Sequence, residues 1–521
     1  MKRSIVIGTR GSRLALWQAE FTQQQLQKLG YEATLKIIST KGDQTQHLTF
    51  DKLEGKGFFT KELEEELLAG LIDMAVHSYK DLPTDNPPGL VIAGCSYSED
   101  PADWLIVKKE STDVELPLNL KQGAKVGTSS ARRKAQLLAH RPDLQMIDIR
   151  GNVPTRVEKI YREGLDAVVL AAAGLNRLEI DLSAYHVERL WLNTCIAAPA
   201  QGVLAFQIRQ DDTFMQAVAA QLNDNAVAKD VYVERSILKK LGGGCQQPIG
   251  VYCDSETGVY RVWAAYARQW DDLPRRVYME DHDPDALIER IVAVFKKGRD
   301  SRSVFISRQL SSDSYFKRAL THYGFNVIGH SLIDFEAIAF GRELPDAHWI
   351  FFSSKNGVRF FFDQQPHLPP NVRLAALGSS TAKAIAAAVG HMPDFVGQGS
   401  DIPSIARQFA QLAAGQRVIF PQPLHSLETV QQTIGHLIQP IKIFCYQNTP
   451  TQANLDLPVC DILVFTSPAN VRNYLSRYPA LPHQKIIAIG PTTAAALQEA
   501  GIGNCVVSPI ADEVSLADLC Y

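Results

Sequence analysis

Val126-Gly127-Thr128-Ser129-Ser130-Ala131-Arg132-Arg133 passes from a short apolar run through a hydroxyl-rich turn into a helix. Thr128, Ser129 and Ser130 have the side chains of a helix N-cap, and the helix behind them offers free N–H groups and its positive dipole end to an anion. Arg132 and Arg133 open that helix and add a bidentate guanidinium grip on carboxylates. The same strand–turn–helix order recurs outward. Ser4–Ile7 predicts a strand, and Leu14, Trp17, Phe21 and Leu26 recur at helical spacing until Gly30. Leu35–Ser39 predicts a strand, Lys61–Ala69 a helix and Met74–Val76 a short buried strand. Such alternation argues for α/β domains with mostly parallel sheets.

Five further features carry chemistry. Arg10 follows the first strand in Gly8-Thr9-Arg10-Gly11-Ser12, Arg150 and Arg156 bracket Gly151–Thr155, and Arg177 follows Ala173-Gly174-Leu175-Asn176. A solvated helix face explains any one of these arginines. It explains poorly six that all sit at strand-to-helix turns beside glycine, serine or threonine, and a cleft for a ligand bearing several carboxylates follows. His77-Ser78-Tyr79-Lys80-Asp81-Leu82-Pro83 puts an acid beside a base at a strand end, where α/β folds place ligand chemistry. Gly242-Gly243-Gly244-Cys245 predicts a mobile backbone around an accessible sulfur, suited to a tethering thiol.

Composition narrows the class. At 521 residues the chain is too long for one core, and about three to five domains are expected. The net charge of -3 supplies no global basic field for nucleic acid or anionic lipid. No stretch approaches the roughly 20 apolar residues of a membrane span, and the Met1-Lys2-Arg3 start leads into a buried strand rather than a signal peptide. The eight cysteines lack metal-ligand spacing, so neither a metal nor a disulfide framework is expected. A cytoplasmic monomer is the expectation. Lys297-Gly298-Arg299-Asp300-Ser301-Arg302 reads as a short polar linker, which predicts separable halves.

Residues 1–298 resemble hydroxymethylbilane synthase, also called porphobilinogen deaminase, through Thr9–Ser12, Leu14–Gln18, Gly55–Gly57, Lys61–Glu64, His77–Pro83, Gly127–Arg133, Arg150–Arg156, Ala198–Gly202 and Gly243–Gly250. The resemblance implies two periplasmic-binding-protein-like lobes, 1–96 with 196–218 and 97–195, and a small α/β domain at 219–298. It implies a dipyrromethane cofactor on Cys245, with Asp81 as the catalytic carboxylate. Lys80, Ser129, Ser130, Arg132 and Arg133 would hold the cofactor, and Arg10, Ser12, Lys52, Lys56, Thr128, Arg150, Arg156 and Arg177 the substrate carboxylates. Porphobilinogen loses ammonia to an electrophilic azafulvene, and a carboxylate beside the pyrrole N–H groups would stabilise the cations. The sequence departs from the family at Tyr79, Gln247 and Ala200, without losing a charged or nucleophilic group.

Residues 303–521 carry a weak internal repeat: Phe352-Ser353-Ser354 matches Phe465-Thr466-Ser467, and Gly378-Ser379 matches Gly490-Pro491, at offsets of 465 − 352 = 113 and 490 − 378 = 112. With Cys445-Tyr446-Gln447, this stretch resembles uroporphyrinogen III synthase. The resemblance implies a two-lobed α/β unit, with lobes at about 303–338 plus 455–521 and at 339–454. The expected activity is closure of hydroxymethylbilane with inversion of the last ring; Tyr446 would assist, and Ser467, Thr492 and Thr493 would bind carboxylates. Two competing readings differ in class. One is a degenerate or regulatory second half; the other is a ligand-binding or sensory protein, which would need neither Cys245 nor Asp81.

Overall fold

The computed structural model describes residues 4–39, 60–243, 247–397, 402–426, 428–451 and 455–521. Lys52, Lys56 and Cys245 lie outside them. The first lobe is a five-stranded sheet in the order Ala33–Ile37, Ile5–Thr9, Met74–Ser78, Leu204–Arg209, Leu90–Cys95. The second repeats this plan as Gln145–Ile147, Lys125–Gly127, Ala167–Ala171, Asp103–Lys108, Tyr185–Leu190. In each, the first three strands are parallel and the fourth runs antiparallel to both neighbours. The antiparallel strand is the one that arrives after the chain crosses between lobes, so the two crossings leave a cleft at the strand ends.

A small domain follows: the strands Ile249–Asp254, Tyr260–Tyr266 and Arg275–Asp281 form an antiparallel sheet packed on the helices Asn225–Lys240 and Pro284–Lys296. The helix Thr213–Leu222, split by the expected boundary at 218, buries Met215, Val218 and Ala219 against Ile5, Ile7 and Phe206, and so belongs with the first lobe.

The second half holds two sheets. One is parallel throughout, in the order Asn326–Gly329, Ser303–Ile306, Ile462–Phe465, Lys485–Ala488, Cys505–Val507. The other runs Ile333–Ala337, Gln439–Pro450, Arg417–Pro423, Trp349–Phe352, Arg373–Ala376, Phe395–Val396. The strand Ile333–Ala337 pairs antiparallel with Gln439–Pro450, which moves the expected lobe boundary at 338 to before residue 333. The internal repeat appears as matched caps. Ser354 accepts from the Gly357 N–H at 3.0 Å, and Ser467, 113 residues later, accepts from the Asn470 N–H at 3.2 Å.

The stretch 297–302 is not a solvated linker. Asp300 is buried, accepts from Arg302 Nε and Nη2 at 3.0 and 2.9 Å and from Lys297 Nζ at 2.9 Å, and these cations hold its carboxyl well below the usual range. Beyond it the halves share one apolar core. Leu192, Ile196, Trp263 and Tyr278 of the first half are buried in the same cluster as Val304, Phe316, Leu320, Val464 and Leu516 of the second. Separation of the halves would therefore expose apolar surface on both, contrary to the expectation of independent pieces.

Phe316→Ala should cost about 3–5 kcal/mol, because Phe316 is fully buried. Hydrogen exchange in the strand Tyr260–Tyr266 of the first half should rise with it; protection there that ignores the substitution would mean the halves unfold separately.

Candidate active sites

The first site is built on Asp103. It opens the apolar strand Asp103–Lys108, is fully buried, and receives two guanidiniums. Arg132 Nη1 donates to its Oδ2 at 2.7 Å, while Arg133 Nη2 and Nε donate to Oδ1 at 2.7 and 3.0 Å. Burial alone would raise this carboxyl, but the two guanidiniums outweigh it and hold it far below its ordinary range. Arg132 Nη1 also donates to the Ile196 carbonyl at 2.7 Å and Arg133 Nη1 to the Val169 carbonyl at 3.0 Å. Gln201, in the segment between the strands Tyr185–Leu190 and Leu204–Arg209 that returns the chain to the first lobe (the hinge), donates to Asp103 Oδ1 at 3.0 Å. Nothing local in the sequence marks Asp103, because its partners Arg132 and Arg133 lie 29 and 30 residues away.

The strand Met74–Ser78 delivers the turn Tyr79–Asp81 to this cluster. Lys80 Nζ donates to Gln201 Oε1 at 3.2 Å, and Asp81 stands exposed at the turn. Burial lowers Lys80 to about 8, with Arg133 and Arg132 adding to it and Asp81 and Asp103 opposing. Arg156 is likewise lowered by burial, and it feels Arg133, Asp81 and Arg150. Lys80, Asp81, Arg132, Arg133, Arg150 and Arg156 therefore share one electrostatic neighbourhood. His77 bonds Gln207 Oε1 at 3.0 Å; burial lowers it to about 4, with Arg10 adding to this, so it is neutral near pH 7.

The hydroxyls are more local than expected. Ser129 Oγ donates to the Ile149 carbonyl at 2.7 Å and accepts from its N–H at 3.1 Å. Ser130 caps the helix Ala131–His140, Ser12 caps Arg13–Lys28, and Thr128 Oγ1 accepts from the Ser130 N–H. Arg156 Nε reaches the carbonyl of Gly151, whose φ of +114° needs a glycine. Arg177 is buried, donates to the Gly202 carbonyl and lies 5.4 Å from the Trp17 ring centre.

Ahead of Cys245, itself outside the described residues, Gly242 and Gly243 answer local steric needs. Gly242 has φ +69°, and a Cβ on Gly243 would meet Leu238 Cδ1 at 2.5 Å. A second unpredicted residue is Glu234, buried and raised to about 8 by that burial, which accepts from the N–H groups of Ala200 at 2.6 Å and Cys253 at 2.9 Å. It fastens the small domain to the hinge. Ala200 itself sits at φ +60°, where the family form has glycine.

In the second half, Ser467 and Thr492 stand behind the ends of the paired strands Ile462–Phe465 and Lys485–Ala488. Thr466 and Ser307 bond each other across a neighbouring strand end, hydroxyl to hydroxyl at 3.2 Å. Thr493 is buried within the first turn of its helix, whereas Thr492 is exposed. Tyr446 lies in the other lobe, stacked on Phe360 at 5.1 Å, and only its hydroxyl leaves the core, 3.4 Å from Ser354 Oγ at a helix cap. Burial raises its pKa, which keeps the phenol protonated, and in the pair with Ser354 either hydroxyl can donate.

Comparison with known proteins divides the chain at the same place. The family model "Porphobilinogen deaminase, dipyromethane cofactor binding domain" matches residues 5–217, and "Porphobilinogen deaminase, C-terminal domain" matches 228–263. "Uroporphyrinogen-III synthase HemD" matches 314–518. The chain is 41% identical over 300 residues to the porphobilinogen deaminase of Geobacillus kaustophilus, covering 57% of this chain and 94% of that protein. It is 46% identical over 248 residues to that of Syntrophotalea carbinolica, covering 47% and 77%. Among solved structures, uroporphyrinogen-III synthetase from Helicobacter pylori aligns at 20% identity and a TM-score of 0.32, covering 41% of this chain and 96% of that one.

A polycarboxylate entering the first cleft favours charged Lys80 and so draws a proton onto it. Below about pH 8 that proton is already present; above it, uptake opposes binding. In a Cys245→Ser chain, porphobilinogen affinity measured calorimetrically should fall as pH rises through about 8, by up to about tenfold per unit. Lys80→Gln should flatten that limb; an unchanged limb would assign it to another group.

Proposed function

The chain belongs to the porphobilinogen deaminase family, and from that premise we propose how its residues divide a two-step tetrapyrrole synthesis. The first unit, a transferase, condenses four porphobilinogen molecules head to tail into hydroxymethylbilane with release of ammonia. The second unit, a lyase, closes this product with inversion of its last ring to uroporphyrinogen III.

The described residues fit a dipyrromethane tethered through Cys245. Buried Arg132 Nε and Arg177 Nε have no hydrogen-bond partner among the described residues, and Lys80 with Arg132, Arg133, Arg150 and Arg156 outnumbers Asp81 and Asp103. A site with that surplus calls for anions. Bound there, the dipyrromethane supplies the pyrrole carbon from which the chain grows.

Asp81 is the carboxylate that performs the chemistry. Of the two described acids in the cluster, Asp81 is exposed whereas Asp103 is fully buried beneath Arg132 and Arg133. Placed beside pyrrole N–H groups, it stabilises the positive charge that develops as ammonia leaves, and it holds the proton moved in that step. Arg132, Arg133 and Lys80 grip cofactor carboxylates; Arg10, Arg150, Arg156 and Arg177, with Lys52 and Lys56, take those of the substrate and growing chain. Ser12, Thr128 and Ser130 accept backbone N–H bonds at turns and helix starts and keep their O–H groups to donate to a ligand carboxylate, whereas Ser129 spends its O–H on the Ile149 carbonyl and holds the turn.

For the second unit, Ser467 and Thr492 offer neutral donors at helix starts to bilane carboxylates, whereas Thr493, buried with its N–H bonded to the Gly490 carbonyl, shapes that helix start rather than meeting the ligand. Tyr446, through its hydroxyl beside Ser354, assists departure of the hydroxyl group from the substrate, which ionises by itself. No helix of the described residues is long and apolar enough to cross a membrane, and the substrates are small pyrroles rather than nucleic acid or lipid. Work as a cytoplasmic monomer suits seven described cysteines that are all free thiols.

The observation that carries this reading is the cluster of cations around Asp81. Asp81→Asn should lower turnover by orders of magnitude while leaving the chain folded, and near-normal ammonia release would move the charge to another residue. Products of the intact chain should be the type III isomer, and Tyr446→Phe should slow but not stop its formation. Type I product alone would make the second unit a degenerate or regulatory domain.

A further inference from the structure

The helix Ala131–His140 carries Arg132 and Arg133 at its first turn. Its other end is held by the second unit. Arg318 Nη2 donates to the Ala139 carbonyl at 2.7 Å, one of the acceptors that a helix C-terminus leaves unpaired, and brings a cation to the negative end of the dipole. The His140 ring stacks on Tyr315 with centres 5.1 Å apart.

A buried polar chain joins the same parts. Asp518, on the helix Glu513–Asp518 of the second unit, pairs with Arg276 at 3.2 Å, and both side chains are almost fully enclosed. Arg276 Nη1 donates to Gln136 Oε1 at 3.3 Å. Gln136 clasps Ile196 from both sides, accepting from its N–H at 2.8 Å and donating to its carbonyl at 3.0 Å. That carbonyl is also the acceptor for Arg132 Nη1 at 2.7 Å. Every link from Asp518 to Arg132 is therefore a hydrogen bond away from water, where an unmet group is costly and alternatives are few.

We propose that Asp518 is a positioning residue for the first unit's reaction, setting Arg132 through Arg276, Gln136 and the Ile196 carbonyl. The docked second unit is thereby part of the first active site. This rests on the reading of the first cleft as the porphobilinogen-condensing site. With Asp518 neutralised, Arg276 is left as a buried cation whose nearest remaining acceptors are Gln136 Oε1 and the Leu192 carbonyl. It then competes with the Ile196 N–H for Gln136, and the Ile196 carbonyl that orients Arg132 loses its fixed place. The consequence falls on carboxylate binding, not on the proton-handling of Asp81: Arg132 grips the cofactor, the cofactor is the pyrrole that an incoming porphobilinogen must meet, and its misplacement is read in the KM for porphobilinogen.

The test uses the full chain. Asp518→Asn should raise the KM for porphobilinogen about three- to tenfold with kcat changed less than about twofold, and should increase hydrogen exchange in the helix Ala131–His140. Asp518→Glu should restore part of the KM. Gln136→Leu should act alike, and the Asp518→Asn/Gln136→Leu pair should be no worse than the stronger single variant, because both cut one chain. Arg318→Met, at a less buried contact, serves if Asp518→Asn does not fold, and should also raise KM. A folded Asp518→Asn chain with unchanged KM, or effects that multiply in the double variant, overturns the proposal. A wild-type chain that consumes no porphobilinogen sinks the reading of the cleft and this inference together, whereas turnover indifferent to Asp518 sinks the inference alone.

Discussion

Two guanidiniums on one fully buried carboxylate form the constraint on which the first unit depends. Asp103 cannot be removed without stranding the charges of Arg132 and Arg133 inside the protein, a change of about 3–5 kcal/mol for a broken buried pair. The triad also spans distinct parts of the molecule: a strand, a helix start, and the hinge through Gln201. It therefore fixes the angle at which the helix meets the cleft, and with it where Arg132 and Arg133 stand. Lys80 and Asp81, delivered by the neighbouring lobe, complete a site rich in cations and open at one acid.

Around that site the chain is joined more tightly than a two-enzyme fusion requires. The small domain is fastened to the hinge by Glu234, and its sheet contributes Trp263 and Tyr278 to a core shared with the second half. The apolar contact supplies most of the free energy of docking, being non-directional and proportional to area. The Arg276–Asp518 pair adds little net stability by the ordinary balance of desolvation against attraction. Its effect is registration: it admits one relative placement of the units.

Much of the first site could be read from residues alone, because its signals are local. Thr128-Ser129-Ser130 before Arg132 and Arg133 is a cap followed by anchors, and His77–Pro83 is a strand end with charges; both need only a few neighbouring letters. Asp103 is 29 residues from Arg132, and no period links an acid to a distant guanidinium. Asp518 and Arg276, 242 residues apart, were illegible for the same reason. The stretch 297–302 reads as a linker because Asp300, Arg302 and Lys297 are polar, yet on folding they satisfy one another. Ser129 looked free for a ligand, but its hydroxyl is engaged with the backbone of Ile149, a partner that only the neighbouring strand's register reveals. Ala200 occupies a left-handed position that costs about 1–2 kcal/mol without a glycine, and the Glu234 carboxyl oxygen that accepts its N–H helps hold it there.

Intact-protein mass of the full chain tests the central claim, a cation-lined cleft loaded through Cys245, most directly. The wild-type chain should exceed its sequence mass by one dipyrromethane. Asp81→Asn, which spares the anchors, should keep the excess; Cys245→Ser and Asp103→Asn should lose it. A wild-type chain that carries no added mass and still condenses porphobilinogen would contradict the account.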